Sequence, residues 1–570
     1  MKKLAIFFSA LMIASGCLCA PPTIMQRADS QEAERWADSV YNSLNDRERI
    51  AQLLCPKTIP KFGHGDEAIK KFIETNQVGA LLLGEGSIDQ YVELTNMARQ
   101  MAKVPPLMTF DGEWGAAMRV NGTLRFPCNM ALGAIQDPKL LRAYGREVGR
   151  QLRLLGHNVD FAPVVDVNSN PRNPVIGFRS FGEDPHRVAL LGAAMSQGLE
   201  DAGVQAVAKH FPGHGDTSTD SHKERTTVYH SAQVIDDVDL VPFRAFVDSG
   251  CSGIMVGHIV VPSIDDSGMP ASLSQHLTTG LLRQRLGFNG LIYTDALGMK
   301  GAHVPGVRPE LAALKAGADV LLTYRDPAQD IDAILEEIAA GRITWSLVED
   351  RCKRILRYKY ALGLPDEGLI DSTRMASRLN SAESRRVSDM LSCAAITILR
   401  NNDDILPLKS HESQSIAVVN IGAGKDTDFV KVCKRSADKR RRDDFNVYTG
   451  QSLSASDLSE IRKHDVVIAA VYADSAYCRN IYSQLQNMPN LVGVFMVSPY
   501  KMNKFNLDHT KAIVLAYEDL PDMERAAAMA ILGSIGVNGR LPVNLPGFPL
   551  GSGLELPYRP GAGGGCFLGR

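Results

Sequence analysis

The chain has 570 residues, 45% of them hydrophobic and 22% charged, which excludes a mostly disordered polymer and supplies enough apolar material for a large core. At about 100–200 residues per domain it should hold two to four domains, fewer if one of them is a barrel. Lys+Arg 62 against Asp+Glu 64 leave a net charge of −2, so the whole chain carries no electrostatic footprint for nucleic acid, and no apolar run reaches the roughly 18 residues of a membrane-spanning helix.

The first 20 residues read as an export segment. Lys2 and Lys3 precede an apolar stretch, Leu4 to Ala14, of signal-peptide length. Ser15-Gly16-Cys17 resembles a bacterial lipoprotein cleavage site, so Cys17 is the expected lipidated residue; an ordinary secretory cleavage nearby is the alternative. Either way the expected location is outside the cytoplasm, in a bacterial periplasm or anchored at the outer membrane, with the lipid as the sole membrane contact. The eight cysteines beyond Cys19 are scattered singly with no C-x-x-C pair, which argues against a structural zinc site and a disulfide-dense scaffold.

From about residue 40 to 360 short apolar runs alternate with amphipathic stretches. The runs are Ala51–Pro56, Val78–Leu83, Pro106–Asp111, Asn158–Val165, Val204–His210, Gly253–Ile259, Leu291–Asp295 and Ala318–Thr323. Helical patterns such as Asp89–Met101 and Pro138–Leu155 lie between them. Eight buried-type strands separated by helices predict an α/β fold, a (β/α)8 TIM barrel, over residues 30–365. Asp111, Asp166, Lys209, His210, His258 and Asp295 stand at the C-terminal ends of these runs, where such a barrel presents its site.

A helical stretch over Leu347–Leu362 meets Gly363-Leu364-Pro365, a stop signal. A linker and helix over 366–390 then lead to a smaller doubly wound α/β domain over 391–560. Its strand-like runs are Ser415–Ile421, Phe445–Tyr448, Asp465–Tyr472, Leu491–Val497 and Ala512–Tyr517. A glycine-rich tail, 561–570, follows. Gly422-Ala423-Gly424 lacks the third glycine of a dinucleotide fingerprint, since Thr427 stands there, and reads as a tight turn. The basic run from Lys431 to Arg442 is diluted by Asp438 and reads as a solvated face. No cofactor and no metal is expected.

The segment Lys209-His210-Phe211-Pro212-Gly213-His214-Gly215-Asp216 is the most informative. Pro212, Gly213 and Gly215 force the strand into a loop, which goes on to carry Asp220, Ser221 and His222. His210 and His214, four apart but separated by Pro and Gly, do not share a helix face as a zinc pair would. A structural loop of satisfied polar groups is a second reading. A proton-transfer site is the third, with Asp220 polarising His222 as general acid/base.

This loop resembles the signature of family 3 glycoside hydrolases, in the β-N-acetylglucosaminidase branch. Asp111-Gly112-Glu113-Trp114-Gly115 with Arg119 is similar to the family's D-x-E-G-G-x-x-x-R segment, with Trp114 in place of one Gly. Asp160–Asp166, Gly177–Gly182 and Thr294–Met299 resemble its following strand, loop and nucleophile segment, and Ala395–Leu408 and Gly539–Pro546 its second domain. The resemblance spans roughly residues 30–560. It implies an exo-acting, retaining β-N-acetylhexosaminidase acting on a β-linked N-acetylglucosamine-containing glycan, with peptidoglycan fragments and chitin oligomers among the candidates.

Asp295 is then the nucleophile, His222 with Asp220 the acid/base, and Asp111, Arg119, Arg179, Lys209 and His210 hold the sugar. His214 is expected to shape the loop, His258 is open between a structural role and the site, and Glu113 is given no role. Phosphorolysis and a β-glucosidase are the alternatives within the family. A non-catalytic glycan-binding lipoprotein is the alternative of a different class.

Overall fold

The computed structural model describes residues 21–63, 65–219, 225–408, 414–439, 445–488 and 490–559. The export segment with Cys17, the Asp220 and His222 pair, and the 561–570 tail lie outside the described residues.

Eight parallel strands build the first domain: β1 (Leu54–Thr58), β2 (Ala80–Leu83), β3 (Leu107–Phe110), β4 (Val159–Asp160), β5 (Gln205–Phe211), β6 (Gly253–Val256), β7 (Leu291–Thr294) and β8 (Leu321–Thr323). Neighbours follow chain order from β1 to β7, and β8 lies beside β1. The ring closes where Tyr293 of β7 bridges Val320, the residue before β8, and the Thr294 amide donates to the Val320 carbonyl at 3.0 Å. This is the (β/α)8 barrel that the eight apolar runs predict. From β2 to β8 every strand residue is buried, as a parallel sheet covered on one face by helices and on the other by its own interior requires. Phe161 and Tyr293 meet inside the barrel edge to face at 5.5 Å, and the Tyr293 hydroxyl donates to Gln205 Oε1 at 2.6 Å.

Between the strands run helices whose ends the sequence marks. α1 (Ile88–Met101) carries a capping box of Ser87 with Gln90. α2 (Pro138–Leu154) and α3 (Pro185–Asp201) each start with Pro behind an Asp N-cap, Asp137 and Asp184. The two pack so closely that a Cβ at Gly198 would lie 2.1 Å from the Arg142 carbonyl oxygen, which is why that position is glycine. α4 (Trp345–Ala361) follows β8, and Gly363, at φ 80, turns the chain out of it.

After α5 (Ala382–Ala395) comes the second sheet: β9 (Thr397–Asn401), β10 (Ile416–Ile421), β11 (Phe445–Thr449), β12 (Val466–Val471), β13 (Leu491–Phe495) and β14 (Ala512–Leu515). Its order is β9–β14–β13–β12–β10–β11. The strands β10 to β14 are parallel, with β11 and β12 on opposite sides of β10, the reversal that marks a doubly wound sheet. The sequence reading counts five strands. The sixth, β9, pairs antiparallel with β14 at the edge and ends in the half-exposed Arg400 and Asn401, so it lacks the fully apolar run of a central strand. α6 (Pro521–Ile531) packs against α5 and completes the domain. Cys55, Cys128, Cys251, Cys352, Cys393, Cys433 and Cys478 are all buried.

Candidate active site

The carboxyl ends of the barrel strands surround a cavity of about 600 Å³, within the range of small-molecule sites. Asp111, the residue after β3, accepts from Arg119 at 2.8 Å and from the Lys209 ammonium at 3.4 Å. Two residues on, Glu113 is gripped by the Arg179 fork at 2.7 and 2.9 Å and pairs with Lys209 at 2.9 Å. These carboxylates and cations form one network, with Lys209 bridging both acids. Burial opposes ionisation of Glu113, but Arg179 and Lys209 outweigh it and hold its carboxyl down to about 2. Asp111 is likewise held well below the usual carboxylate range, against its burial, by Lys209 and Arg119.

Beyond Lys209 the strand delivers His210, whose Nδ1 lies 2.8 Å from Asp166 Oδ2. Asp166 Oδ1 accepts the His214 amide at 2.8 Å, so one buried carboxylate fixes both the His210 ring and the start of the loop. The His214 ring lines the cavity but is turned to Thr217, with Nδ1 2.7 Å from its Oγ1. Burial takes His214 down to about 4, so it stays neutral and shapes the loop.

Asp295 follows β7. Its amide donates to the Val256 carbonyl at 3.0 Å, which fixes the backbone at the rim, and its Oδ1 accepts the Ala296 amide at 2.7 Å. Burial raises the pKa of this carboxyl, but His258, His210, the Ala296 N–H and Lys209 together take it below the ordinary value. Asp295 therefore faces the cavity as an anion at neutral pH. His258 does not line the cavity: its Nδ1 lies 2.7 Å from Ser272 Oγ and its Nε2 2.9 Å from the Ala296 carbonyl, beneath the Asp295 turn.

Of the residues named from sequence, Asp111, Arg119, Arg179, Lys209, His210 and Asp295 all line this one cavity. Asp220 and His222 lie outside the described residues, but both flanks of their segment are placed. Thr219 Oγ1 donates to Thr226 Oγ1 at 3.3 Å, and Thr226–Thr227 pairs with Ile259–Val260 beyond β6. The sequence reading missed the structural hub, Glu113. It picked out the Glu of the Asp111–Gly115 segment but gave it no role, because its partners Arg179 and Lys209 are remote in the chain. It also missed Tyr324, 58% exposed at the rim with its ring laid on Gly298, where a Cβ would fall 2.5 Å from the ring.

An anionic carboxylate facing a fixed set of donors and acceptors can do displacement chemistry on a polyol held between them. The profile described as "Glycosyl hydrolase family 3 N terminal domain" matches residues 46–358. Beta-hexosaminidase A of Pseudoalteromonas piscicida is 34% identical over 368 residues, 58% of this chain but only 61% of that protein. A Cellulomonas fimi protein named "Beta-N-acetylglucosaminidase/beta-glucosidase" is 25% identical over 545 residues, 89% of this chain and 95% of its own length. The solved glycoside hydrolase family 3 beta-N-acetylglucosaminidase from Paenibacillus sp. str. FPU-7 superposes with a TM-score of 0.73 at 30% identity, covering 88% of this chain and 99% of that one. With the profile covering more than half of the residues and a barrel whose strand ends carry the charged cavity, the chain belongs to glycosyl hydrolase family 3.

Proposed function

We propose that the chain is an exo-acting, retaining β-N-acetylglucosaminidase that removes terminal β-linked N-acetylglucosamine. The observation that carries this is the anionic Asp295 facing the Asp111, Arg119, Arg179, Lys209 and His210 set across one cavity. The names of the Pseudoalteromonas and Paenibacillus relatives support the aminosugar.

In the proposed reaction an Asp295 oxygen attacks the anomeric carbon while the glycosidic C–O bond breaks. His222, polarised by Asp220, protonates the departing oxygen. Water then attacks the glycosyl-enzyme, gives its proton to His222 and releases Asp295, so the β configuration is retained. Asp111 accepts hydroxyl protons of the sugar, and Arg119, Arg179 and Lys209 donate to its oxygens. The Cellulomonas relative, named for both sugars, favours a β-glucosidase as second reading. The export segment extends the proposal to a periplasmic lipoprotein held through Cys17.

The test is side-by-side hydrolysis of an aryl N-acetylglucosaminide and an aryl glucoside, with and without phosphate. Faster cleavage of the N-acetyl sugar, the β product formed first, and no glycosyl phosphate are expected. Equal rates on both sugars would favour the glucosidase, and a phosphate-dependent sugar phosphate would favour phosphorolysis. His222→Ala should lose least on aryl leaving groups that need no proton; equal loss on all substrates would remove the acid role.

A further inference from the structure

A second cavity, of about 460 Å³, lies between the barrel and the carboxyl ends of β12, β13 and β14. Among the described residues it shares no lining residue with the cavity of Asp295. One short strip divides them: Val175 and Arg179 face the first cavity, and Asn173, Gly177 and Phe178 face the second. The cavity uses the carboxyl ends of β12 to β14, to one side of the β10 reversal at which doubly wound sheets most often take ligands.

The lining is specific. Phe178 presents a ring that is 51% exposed and lies 6.2 Å from the Trp114 ring, so two aromatic side chains stand together at this edge. Tyr517 also lines the cavity, at φ 64, a backbone region that bulky residues rarely enter, and its hydroxyl is tied to Thr397 Oγ1 at 2.7 Å. The lining also holds Glu518, whose two oxygens accept from Arg125 at 2.7 Å and from the Cys128 amide at 2.6 Å, and the exposed Asp519 and Lys501.

We infer that this cavity is a second, non-catalytic saccharide site. A pyranose offers an apolar C–H face and an edge of hydroxyls. The exposed Phe178 ring is a platform for the face, the Asp519 carboxylate accepts from hydroxyl pairs, and Lys501 donates to ring and hydroxyl oxygens. The two acids, Glu518 and Asp519, are balanced by Arg125 and Lys501, and the Gly422 turn after β10 is not part of the wall, so the lining offers no surplus charge for a phosphate. The ligand is therefore a neutral sugar. Only the choice of N-acetylglucosamine as that sugar rests on the proposed function.

The experiment is equilibrium dialysis of the full chain carrying Asp295→Ala against labelled di-N-acetylchitobiose, and separately against glucose. Two sites per chain are expected with at least one of the two sugars. Adding Phe178→Ala, or the exposed pair Asp519→Ala with Lys501→Ala, should weaken one site by about tenfold or more and leave the other unchanged. The exposed pair decides the matter if Phe178→Ala does not fold. A single site with both sugars, or two sites that neither variant moves, would overturn the inference. Turnover of the aryl N-acetylglucosaminide by the unsubstituted chain is scored separately. If turnover is absent while two sites persist, the catalytic reading fails and the second site stands.

Discussion

Glu113 and Asp160 sit within one side chain of each other's network and ionise in opposite senses. Glu113 is an anion between two cations, with its side chain 1% exposed. Removing one partner of a buried pair leaves the others uncompensated, at about 3–5 kcal/mol. Glu113→Gln is therefore expected to lower the thermal midpoint and to raise KM, since Arg179 and Lys209 lose the anchor that aims them; melting curves and steady-state kinetics at pH 7 check both. Because its carboxyl is held to about 2, the Glu113 contribution is complete above the ordinary carboxylate range and is lost as pH falls through about 2.

Asp160 is the converse. Its Oδ1 accepts the Gly112 amide at 2.8 Å, while its buried Oδ2 has no partner among the described residues. Burial, with added repulsion from Asp111 and Glu113, pushes it up to about 8 against the pull of Lys209 and the Gly112 amide. The folded state then holds a proton that the unfolded chain gives up near pH 4, so stability from this group falls as pH rises from about 4 to about 8. Asp160→Asn keeps the acceptor for Gly112 and removes the titration. Its midpoint should gain on wild type steadily across that window and level off above it; parallel curves from pH 4 to 9 would refute the neutral carboxyl. Neither role was legible in the sequence. Asp111, Lys209 and His210 announce themselves by their place at strand ends, but a residue whose meaning lies in partners far along the chain looks like any other acid.

At the level of elements, the loop after β5 is built from outside itself. A Cβ at Gly215 would fall 1.6 Å from the Val167 carbonyl, so only glycine lets the loop lie on the strand-four segment. Asn173 Nδ2 donates to the His214 and Gly215 carbonyls at 2.8 and 2.9 Å. Its outer edge is clamped by His230, with Nδ1 2.7 Å from Asp239 Oδ2 and Nε2 3.3 Å from Asp216 Oδ2. The hydrogen bond to Asp239 is the main reason His230 titrates above its ordinary value. A raised imidazole pKa gives stability that is full below about pH 6.5 and is lost as pH climbs through the raised value. Towards acid, Asp239, itself raised by burial, takes a proton and weakens the pair from the other side. The midpoint difference between wild type and His230→Gln is thus expected to peak in mildly acidic buffer and shrink above neutrality. A difference independent of pH would mean that the clamp carries no charge. Glycine and proline spacing revealed that this segment must be a loop, but not what holds it, because His230 lies beyond it and no local period links them.

Across the whole molecule, the barrel was readable because parallel strands buried on both faces keep near-continuous apolar runs, and all eight stand where those runs lie. The edge strand β9 and the contact between the two domains leave no such trace. That contact includes the loop which carries Arg179. At its far end Gly182, at φ 141, would place a Cβ 2.3 Å from the Pro542 carbonyl, whose oxygen accepts the Glu183 amide at 3.1 Å, and the Arg540 amide donates to Ala134 at 3.1 Å. Within six residues the chain thus goes from the cavity wall to the second domain, so the domain props a cavity-facing arginine, and among the described residues it contributes none to the cavity lining itself. Gly182→Ala combines a disfavoured φ with a clash against backbone, a class of overpacking that costs about 1–3 kcal/mol. Calorimetry should show the midpoint lowered, and kcat/KM on the aryl N-acetylglucosaminide should fall with it, because pushing Pro542 away shifts the loop that carries Arg179. A lowered midpoint with unchanged kcat/KM would mean that Arg179 is held by Glu113 alone and that the second domain has no part in shaping the site.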